Sequence, residues 1–295
     1  MTLGPNFLFK LLRDGPPTYV FEMSEAGIAM AALNGPGQVA WQALDPGLVT
    51  VSPVKDNISN PDLVLERIRM LAPENGGRKR RMALVLPDYC ARVAVLDFDS
   101  FPSGHPEQEQ LIRFRMKKSV PFDMDSAIVS YYAQPKKGDK IEVVVAVIAM
   151  EVLARYEAPF RQLMFQPGSV TTSGLAALNL VNPAGVTLVA KLSGRTLTVL
   201  VLDGSTLKLV RCMGMEEGNE EEIESVLHPT FAYIEDELHS KPSRLLTCGF
   251  GNGYQELTDH WQTAWGVDVE PLRSHHGPPG QNDAGLLGYW EGVEN

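Results

Sequence analysis

Few side chains in this sequence stand at spacings that do chemistry. His275 and His276 are adjacent in a loop rich in Gly and Pro, residues 274–281. A chelating pair needs a carboxylate or cysteine beside it, and none adjoins, so a solvated pair is expected. Asp97 and Asp99 flank Phe98 and would share one face of a strand. That is an acid–base spacing, but no nucleophile accompanies it, and a charge pair at a strand end is the expectation. The run Glu216-Glu217-Gly218-Asn219-Glu220-Glu221-Glu222 leads into a helix, where acids suit the N-terminal partial charge, so no metal cage is expected. Cys90, Cys212 and Cys248 lie far apart without a C-x-x-C pair. They form neither a zinc site nor a disulfide framework and suit burial in a reducing compartment. No G-x-S-x-G, H-E-x-x-H or Walker pattern occurs. One glycine-rich turn follows an apolar strand: Gly249-Phe250-Gly251-Asn252-Gly253.

Those residues must be positioned by a chain of 295 residues, long enough for two cores. Apolar residues make up 44% and charged residues 21%, an ordinary globular balance. With 26 basic against 36 acidic residues the net charge is −10, which argues against broad nucleic-acid or anionic-membrane binding. Arg78-Lys79-Arg80-Arg81 is a local exception, read as a solvated loop before a strand, with a contact to anions such as lipid head groups as the alternative. No apolar run reaches the ~20 residues of a membrane span. The leader, residues 1–16, carries Phe7-Leu8-Phe9-Lys10-Leu11-Leu12-Arg13, too short an apolar stretch for a signal peptide. It reads either as a short amphipathic docking helix or as a disordered leader. A cytoplasmic protein is expected.

Hydrophobic patterning gives a repeated plan. Tyr19 to Met23, Ile28 to Leu33 and Val39 to Leu44 read as three strands, the last two separated by Asn34-Gly35-Pro36-Gly37. Asn60-Pro61-Asp62 starts a helix, and Met82 to Leu86 reads as a buried strand. Arg92 to Phe98 alternates as a further strand. A helix over 106–118, strands at 128–133 and 141–149 and a helix over 151–165 then make a compact α+β unit. The opening plan recurs from residue 186: strands at 186–191, 196–202 and 207–212, with Asp203-Gly204 as a hairpin turn, a helix over 217–239 and a strand at 244–248. Helices over 254–265 and 283–291, with a short strand between, complete the chain. The duplication suggests two related domains facing each other across a cleft.

This plan resembles the actin, sugar-kinase and heat-shock-chaperone superfamily, and within it the type IV pilus assembly PilM family, related to FtsA. The most specific likeness is Gln110 to Phe122, where a helix ends in Val120-Pro121-Phe122, followed by the strand Ile128-Val129-Ser130-Tyr131-Tyr132. Thr247-Cys248-Gly249-Phe250-Gly251 is similar to the family's adenosine turn, and Ala284-Gly285-Leu286-Leu287-Gly288-Tyr289 to its closing helix. The resemblance implies an α/β, actin-like duplicated fold: a first domain over 17–98, an inserted α+β subdomain over 99–167, a second domain over 168–282 and a C-terminal helix over 283–295 returning to the first.

In the family each domain's first β-turn holds phosphates. Here Glu22-Met23-Ser24-Glu25-Ala26-Gly27 stands where the family has an Asp and an early glycine. A side chain at Ser24 and a charge at Glu25 both oppose a phosphate. Lys191 stands where the second turn has a metal-holding Asp, and a lysine cannot ligate a cation. Ser24, Lys191, Arg195, Gly249, Gly251 and Gly253 are the implied nucleotide-contacting positions. Lys191 and Arg195 leave open metal-free compensation of the phosphates of ATP or ADP; hydrolysis is not expected. The resemblance further implies a non-catalytic scaffold, peripheral at the cytoplasmic face of the inner membrane, that binds the N-terminal tail of a PilN-like protein between the first domain and the insertion. Phe114, Lys118, Val120, Pro121 and Phe122 are the candidate lining, with subdomain core as the alternative for Phe114 and Phe122. The rival readings are an ATPase or kinase-like enzyme and a GspL-like cytoplasmic domain of type II secretion; a GspL-like protein would carry a membrane span after residue 295, and none is present in the sequence.

Overall fold

A computed structural model describes residues 17–35, 37–72, 76–135, 138–182, 184–251 and 254–294. The leader, the turn at Lys136-Lys137 and Gly253 lie outside the described residues. Strands β1 (Tyr19–Met23), β2 (Gly27–Ala32) and β3 (Ala40–Ala43) form an antiparallel meander. Helix α1 (Pro61–Leu71) starts where expected: the Asn60 side chain accepts from Leu63 N–H, with proline in the first turn. Strand β4 (Arg80–Leu86) returns parallel to β1. The chain continues through β5 (Arg92–Phe98), α2 (His105–Met116), β6 (Ala127–Ala133), β7 (Ile141–Ala149), α3 (Met150–Gln162), β8 (Phe165–Thr172) and the short α4 (Ser173–Ala177). The second copy follows as β9 (Val186–Ser193), β10 (Thr196–Asp203), β11 (Thr206–Gly214), α5 (Glu220–Leu238), β12 (Arg244–Cys248), α6 (Tyr254–Trp265) and β13 (Asp268–Pro271), and α7 (Ala284–Glu294) closes the chain.

The duplication is visible in the sheets. One has the order β3-β2-β1-β4-β8 and the other β11-β10-β9-β12-β13, each an antiparallel meander extended by parallel strands. The outer face of the first sheet packs α1 and α3 through Phe21, Val64, Ile68, Leu84, Tyr156 and Phe160. The outer face of the second packs α5 and α6 through Leu188, Val199, Leu227, Ile234 and Trp261. The inner faces meet around α4 and α7 in one shared core that runs from Val20 and Val85 to Val189, Leu200 and Leu246.

Three features depart from the sequence reading. Strand β5, expected to end the first domain at 98, pairs along its length with β7 and so belongs to the three-stranded sheet β5-β7-β6 with α2. Its alternating pattern suits a half-exposed antiparallel strand, not a central parallel one. Helix α3, expected within the insertion, packs instead in the first lobe. Strand β8 was not anticipated; it lies at the edge of its sheet, where a proline such as Pro167 is tolerated.

Helix α7 lies directly on α4 and on the 3-10 turn Leu178–Leu180 that follows it, through three glycines. A Cβ at Gly285 would sit 2.6 Å from Ser173 Cα, and one at Gly288 2.2 Å from the Ala176 carbonyl oxygen. At Gly292 it would lie 2.5 Å from Asn179 Nδ2. Gly288→Ala is therefore expected to cost about 3 kcal/mol in urea unfolding. Gly168→Ala, whose new methyl group meets nothing within 4 Å, should change stability by less than about 0.5 kcal/mol.

Candidate functional site

The β1–β2 and β9–β10 turns face each other across the junction of the lobes: a Cβ at Gly194 would lie 3.2 Å from Glu25 Oε2. The first turn is closed on itself. Ser24 is buried, its N–H donates to the Gly27 carbonyl at 2.9 Å, and its hydroxyl pairs with both the N–H and the carbonyl of Gly27 at 3.1 Å. Glu25 accepts from Val51 N–H at 3.0 Å. The Ser24 side chain thus takes the Gly27 N–H that a phosphate would need, and the Glu25 carboxylate adds negative charge where the opposing turn comes nearest.

Behind the turns lies a buried ionic network. Lys191, at the end of β9, is 1% exposed, and its Nζ is 3.3 Å from Oδ2 of Asp88. Asp88 comes from the first lobe, in a single 3-10 turn after β4. Its Oδ2 also accepts from the Thr198 hydroxyl at 2.9 Å, and its Oδ1 from Gly174 N–H in α4 at 2.6 Å. One carboxylate therefore joins both lobes and the helix between them. Burial opposes the charge on Lys191, but Asp88 and Glu22 outweigh it and raise the ammonium above its ordinary value. Glu22, at the end of β1, accepts from Ser173 Oγ at 2.5 Å and from Leu286 N–H at 2.6 Å. It thereby satisfies an otherwise unpaired donor in the first turn of α7. Burial pushes the Glu22 carboxyl up to about 7, against the pull of Lys191 and the two hydrogen bonds.

The expected nucleotide positions are thus largely committed to the protein itself. Lys191, for which compensation of phosphate charge was left open, pairs with Asp88. A lysine on a buried strand requires an acid partner, which was the available signal for Asp88, but that acid lies 103 residues away in sequence. Arg195 is exposed on the second turn. Gly249 has φ of +86°, and a Cβ there would sit 2.0 Å from the Leu192 carbonyl oxygen; its own carbonyl accepts from Gln281 Nε2 at 2.7 Å. Gly251, φ +65°, is exposed.

Elsewhere, His275 is exposed as expected, but His276 is not simply solvated: its ring stacks on Trp290 at 4.0 Å and its Nε2 lies 2.9 Å from Glu294. In the acidic run, Asn219 caps α5, and Glu222 accepts from the N–H groups of residues 216, 217 and 218, with the Gly218 bond contributing most to its lowered pKa.

The insertion is tied to the second lobe. Gln134 Nε2 donates to the Leu207 carbonyl and its Oε1 accepts from Leu207 N–H, both at 2.8 Å, while Lys208 Nζ is 2.8 Å from Glu142. Between the insertion and the first lobe runs an apolar groove of about 310 Å³. One wall is β6 and β7 (Ile128, Ser130, Ala146, Ile148), and the other is Leu86, Leu153 and the β8 segment 168–172. Strand β8 ends its sheet, and among the described residues no further strand pairs with its outer edge. The five residues expected to line a partner site do not line this groove. Phe114 is 75% exposed on α2, Lys118 and Pro121 are exposed, Val120 packs on the insertion's core, and Phe122 is half-buried between that core and the first lobe's. The insertion places α2 on one face of its sheet and the groove on the other, a distinction that the linear order of the segments does not carry.

No protein-family profile and no curated protein sequence matches the chain. Solved structures do. A chain of the PilM-PilN type IV pilus biogenesis complex superposes with a TM-score of 0.72 at 16% identity, covering 95% of this chain and 99% of that one. A Bacteroides thetaiotaomicron protein of actin-like ATPase fold and unknown function gives 0.54 at 14%, covering 92% and 95%. The fold is actin-like. The likeness to PilM read from the sequence holds at the level of this actin-like fold. The cytoplasmic domain of EpsL, an inner-membrane component of the type II secretion system of Vibrio cholerae, covers 78% of this chain and 80% of its own at a TM-score of 0.49 and 15% identity. No helix among the described residues is long and apolar enough to cross a membrane.

Asp88→Ala strands a buried ammonium and should cost about 3–5 kcal/mol in chemical unfolding, whereas replacing the pair together, Asp88→Leu with Lys191→Met, should recover most of that loss. The Glu22 carboxyl is raised when folded, from 4.5 to about 7. Between those values the folded state holds a proton that the unfolded state has released, so its contribution to stability falls as pH rises from about 4.5 to about 7. Glu22→Gln should flatten that decline in a pH series of unfolding curves.

Proposed function

We propose that the protein is a non-catalytic scaffold of a type IV pilus or related secretion machine, peripheral at the inner membrane, that holds the N-terminal tail of a PilN-like membrane protein. The observation that carries the tail-binding reading is the apolar groove between the insertion and the first lobe, bounded by β8, the edge strand of its sheet among the described residues. An extended peptide can add to such an edge through main-chain hydrogen bonds and seat alternate side chains against Ile128, Ile148 and Leu153. The fold that this chain shares with a member of a PilM-PilN complex supports the same reading.

The lobe junction supports the absence of catalysis. Phosphoryl transfer relies on a metal and on carboxylates that hold it. Here the position that would present an acid to the metal is Lys191, already bound to Asp88. Within the first turn the N–H groups of Ser24 and Gly27 donate to Gly27 and Ser24 themselves, and Glu25 faces the second turn. Nucleotide entering the cleft would meet the exposed Arg195 and the glycine turn, with no acid at position 191 to hold Mg²⁺.

Two measurements test the proposal. Thermal melts with ATP, with and without Mg²⁺, should show no Mg²⁺-dependent shift, and no phosphate should be released; a metal-dependent shift with release would restore the ATPase reading. Fluorescence anisotropy with labelled N-terminal tail peptides of inner-membrane pilus proteins should show binding. Ala146→Glu, which places a charge in the groove, should weaken that binding about tenfold or more, while Phe114→Ala on the far face of the insertion leaves it unchanged. Failure of every such peptide to bind would leave the fold without this partner.

A further inference from the structure

Helices α5 and α6 cover the outer face of the second sheet and touch each other, with the rings of Phe231 and Trp265 centred 4.7 Å apart. At one end of this contact three ligating side chains converge. Glu220 and Glu224 lie one helical turn apart on α5, and His260 lies on α6. The His260 Nε2 is 3.4 Å from Glu224 Oε1 and 3.9 Å from Glu220 Oε1. One donor atom from each residue lies within 4.8 Å of the other two. The backbone beneath them is fixed by packing: Ile223 and Leu227 of α5 are buried in the second lobe's core, and so is Trp261, the neighbour of His260.

The charge at this point is unbalanced. Two carboxylates face one imidazole, so at least one negative charge is unmatched whether or not the ring carries a proton. Among the described residues, neither Glu220 nor Glu224 is paired with a lysine or an arginine. Like charges at this i, i+4 spacing repel each other. The partial charge at the start of α5 favours Glu220, but it fades beyond the first turn and does little for Glu224. Glu222, between them, is committed to the N–H groups of residues 216, 217 and 218. The expectation of no metal cage weighed the acidic run by itself, and the imidazole that changes its chemistry lies on another helix.

We propose that Glu220, Glu224 and His260 form a binding site for a divalent transition-metal ion of the zinc class, which clips α5 to α6. An imidazole nitrogen with two carboxylate oxygens suits Zn²⁺, whereas Mg²⁺ and Ca²⁺ take oxygen ligands. Metal–ligand distances of about 2.0–2.2 Å put tetrahedral donors about 3.3–3.6 Å apart. His260 and Glu224 already stand at that separation, and the exposed Glu220 side chain needs only a small rotation to join them. Three protein ligands leave a fourth position for water. The His260 and Glu220 side chains are 57% and 50% exposed, so the ion can enter without unfolding the lobe. The inference stands independently of the tail-binding reading.

Full-length protein, stripped of metal by chelator and dialysis, should be titrated calorimetrically with Zn²⁺, and with Mg²⁺ and Ca²⁺ as comparison ions. One equivalent of Zn²⁺ is expected to bind, and neither comparison ion at the same concentration. Loss of a supporting residue alone costs a metal site about tenfold in affinity, so His260→Ala and Glu224→Gln should each weaken Zn²⁺ binding by about tenfold or more. His275→Ala, which dismantles the adjacent histidine pair, should leave binding unchanged. The Co²⁺-loaded protein should show weak ligand-field bands without thiolate charge transfer, which separates this site from the three cysteines. Should His260→Ala alter the fold, Glu220→Gln gives the same reading from an exposed position. No Zn²⁺ binding by the wild type overturns the proposal, as does undiminished binding by a folded His260→Ala protein. A thiolate band, or loss of binding in His275→Ala alone, assigns the ion elsewhere and overturns it as well.

Discussion

The arrangement of the two lobes depends on one buried ion pair. A lysine ammonium deep in a protein is too costly to exist without a partner, and Lys191 finds its partner in Asp88 of the other lobe. The same carboxylate also takes the Thr198 hydroxyl and the Gly174 amide, so the pair is hydrogen-bonded on several sides, the condition under which a buried ion pair can persist. Separating the lobes would expose or strand every member of this set. Glu22 extends it to Ser173 and Leu286, so that α4 and α7 are fixed from the same centre.

The rest of the architecture works in the same direction. The inner faces of both sheets share one core around α4 and α7, and the glycines of α7 let its backbone lie against α4 without intervening side chains. At the other end, Gln134 gives Leu207 the two hydrogen bonds of a missing strand neighbour, and Lys208 meets Glu142. The insertion is therefore braced against the second lobe while its groove opens toward the first. A scaffold gains from such bracing, because a preorganised groove spends less of its binding free energy on ordering itself.

The strand order, the duplication and most helix starts were legible in the sequence because each has a local cause. Asn60 with Pro61 starts α1, and Gly204 with φ of +57° makes the β10–β11 turn that Asp203-Gly204 announces. The altered turns at Ser24 and Lys191 were equally readable, since the chemistry of a side chain in place of glycine or of a cation in place of an acid is local. What was not legible was long-range. Asp88 sits in an unremarkable turn after Pro87, and only the fold brings it to Lys191. Strand β8, interrupted by Pro167 and Gly168, was given no element, and with it one wall of the groove was missed. Phe114 and Phe122 were placed on the right subdomain but away from the groove, because helix periodicity does not say on which side of a sheet the helix lies.

Gly249 shows how a glycine's role can be misread. It stands in a turn of the kind that approaches an adenosine, and a glycine there invites the conclusion that a ligand requires it. Yet its left-handed backbone and the 2.0 Å approach of its would-be Cβ to the Leu192 carbonyl oxygen already forbid any larger residue. The crowding comes from the strand that leads into the second turn, not from a ligand. Packing within the protein is therefore reason enough for a glycine at 249, whether or not the turn meets a ligand.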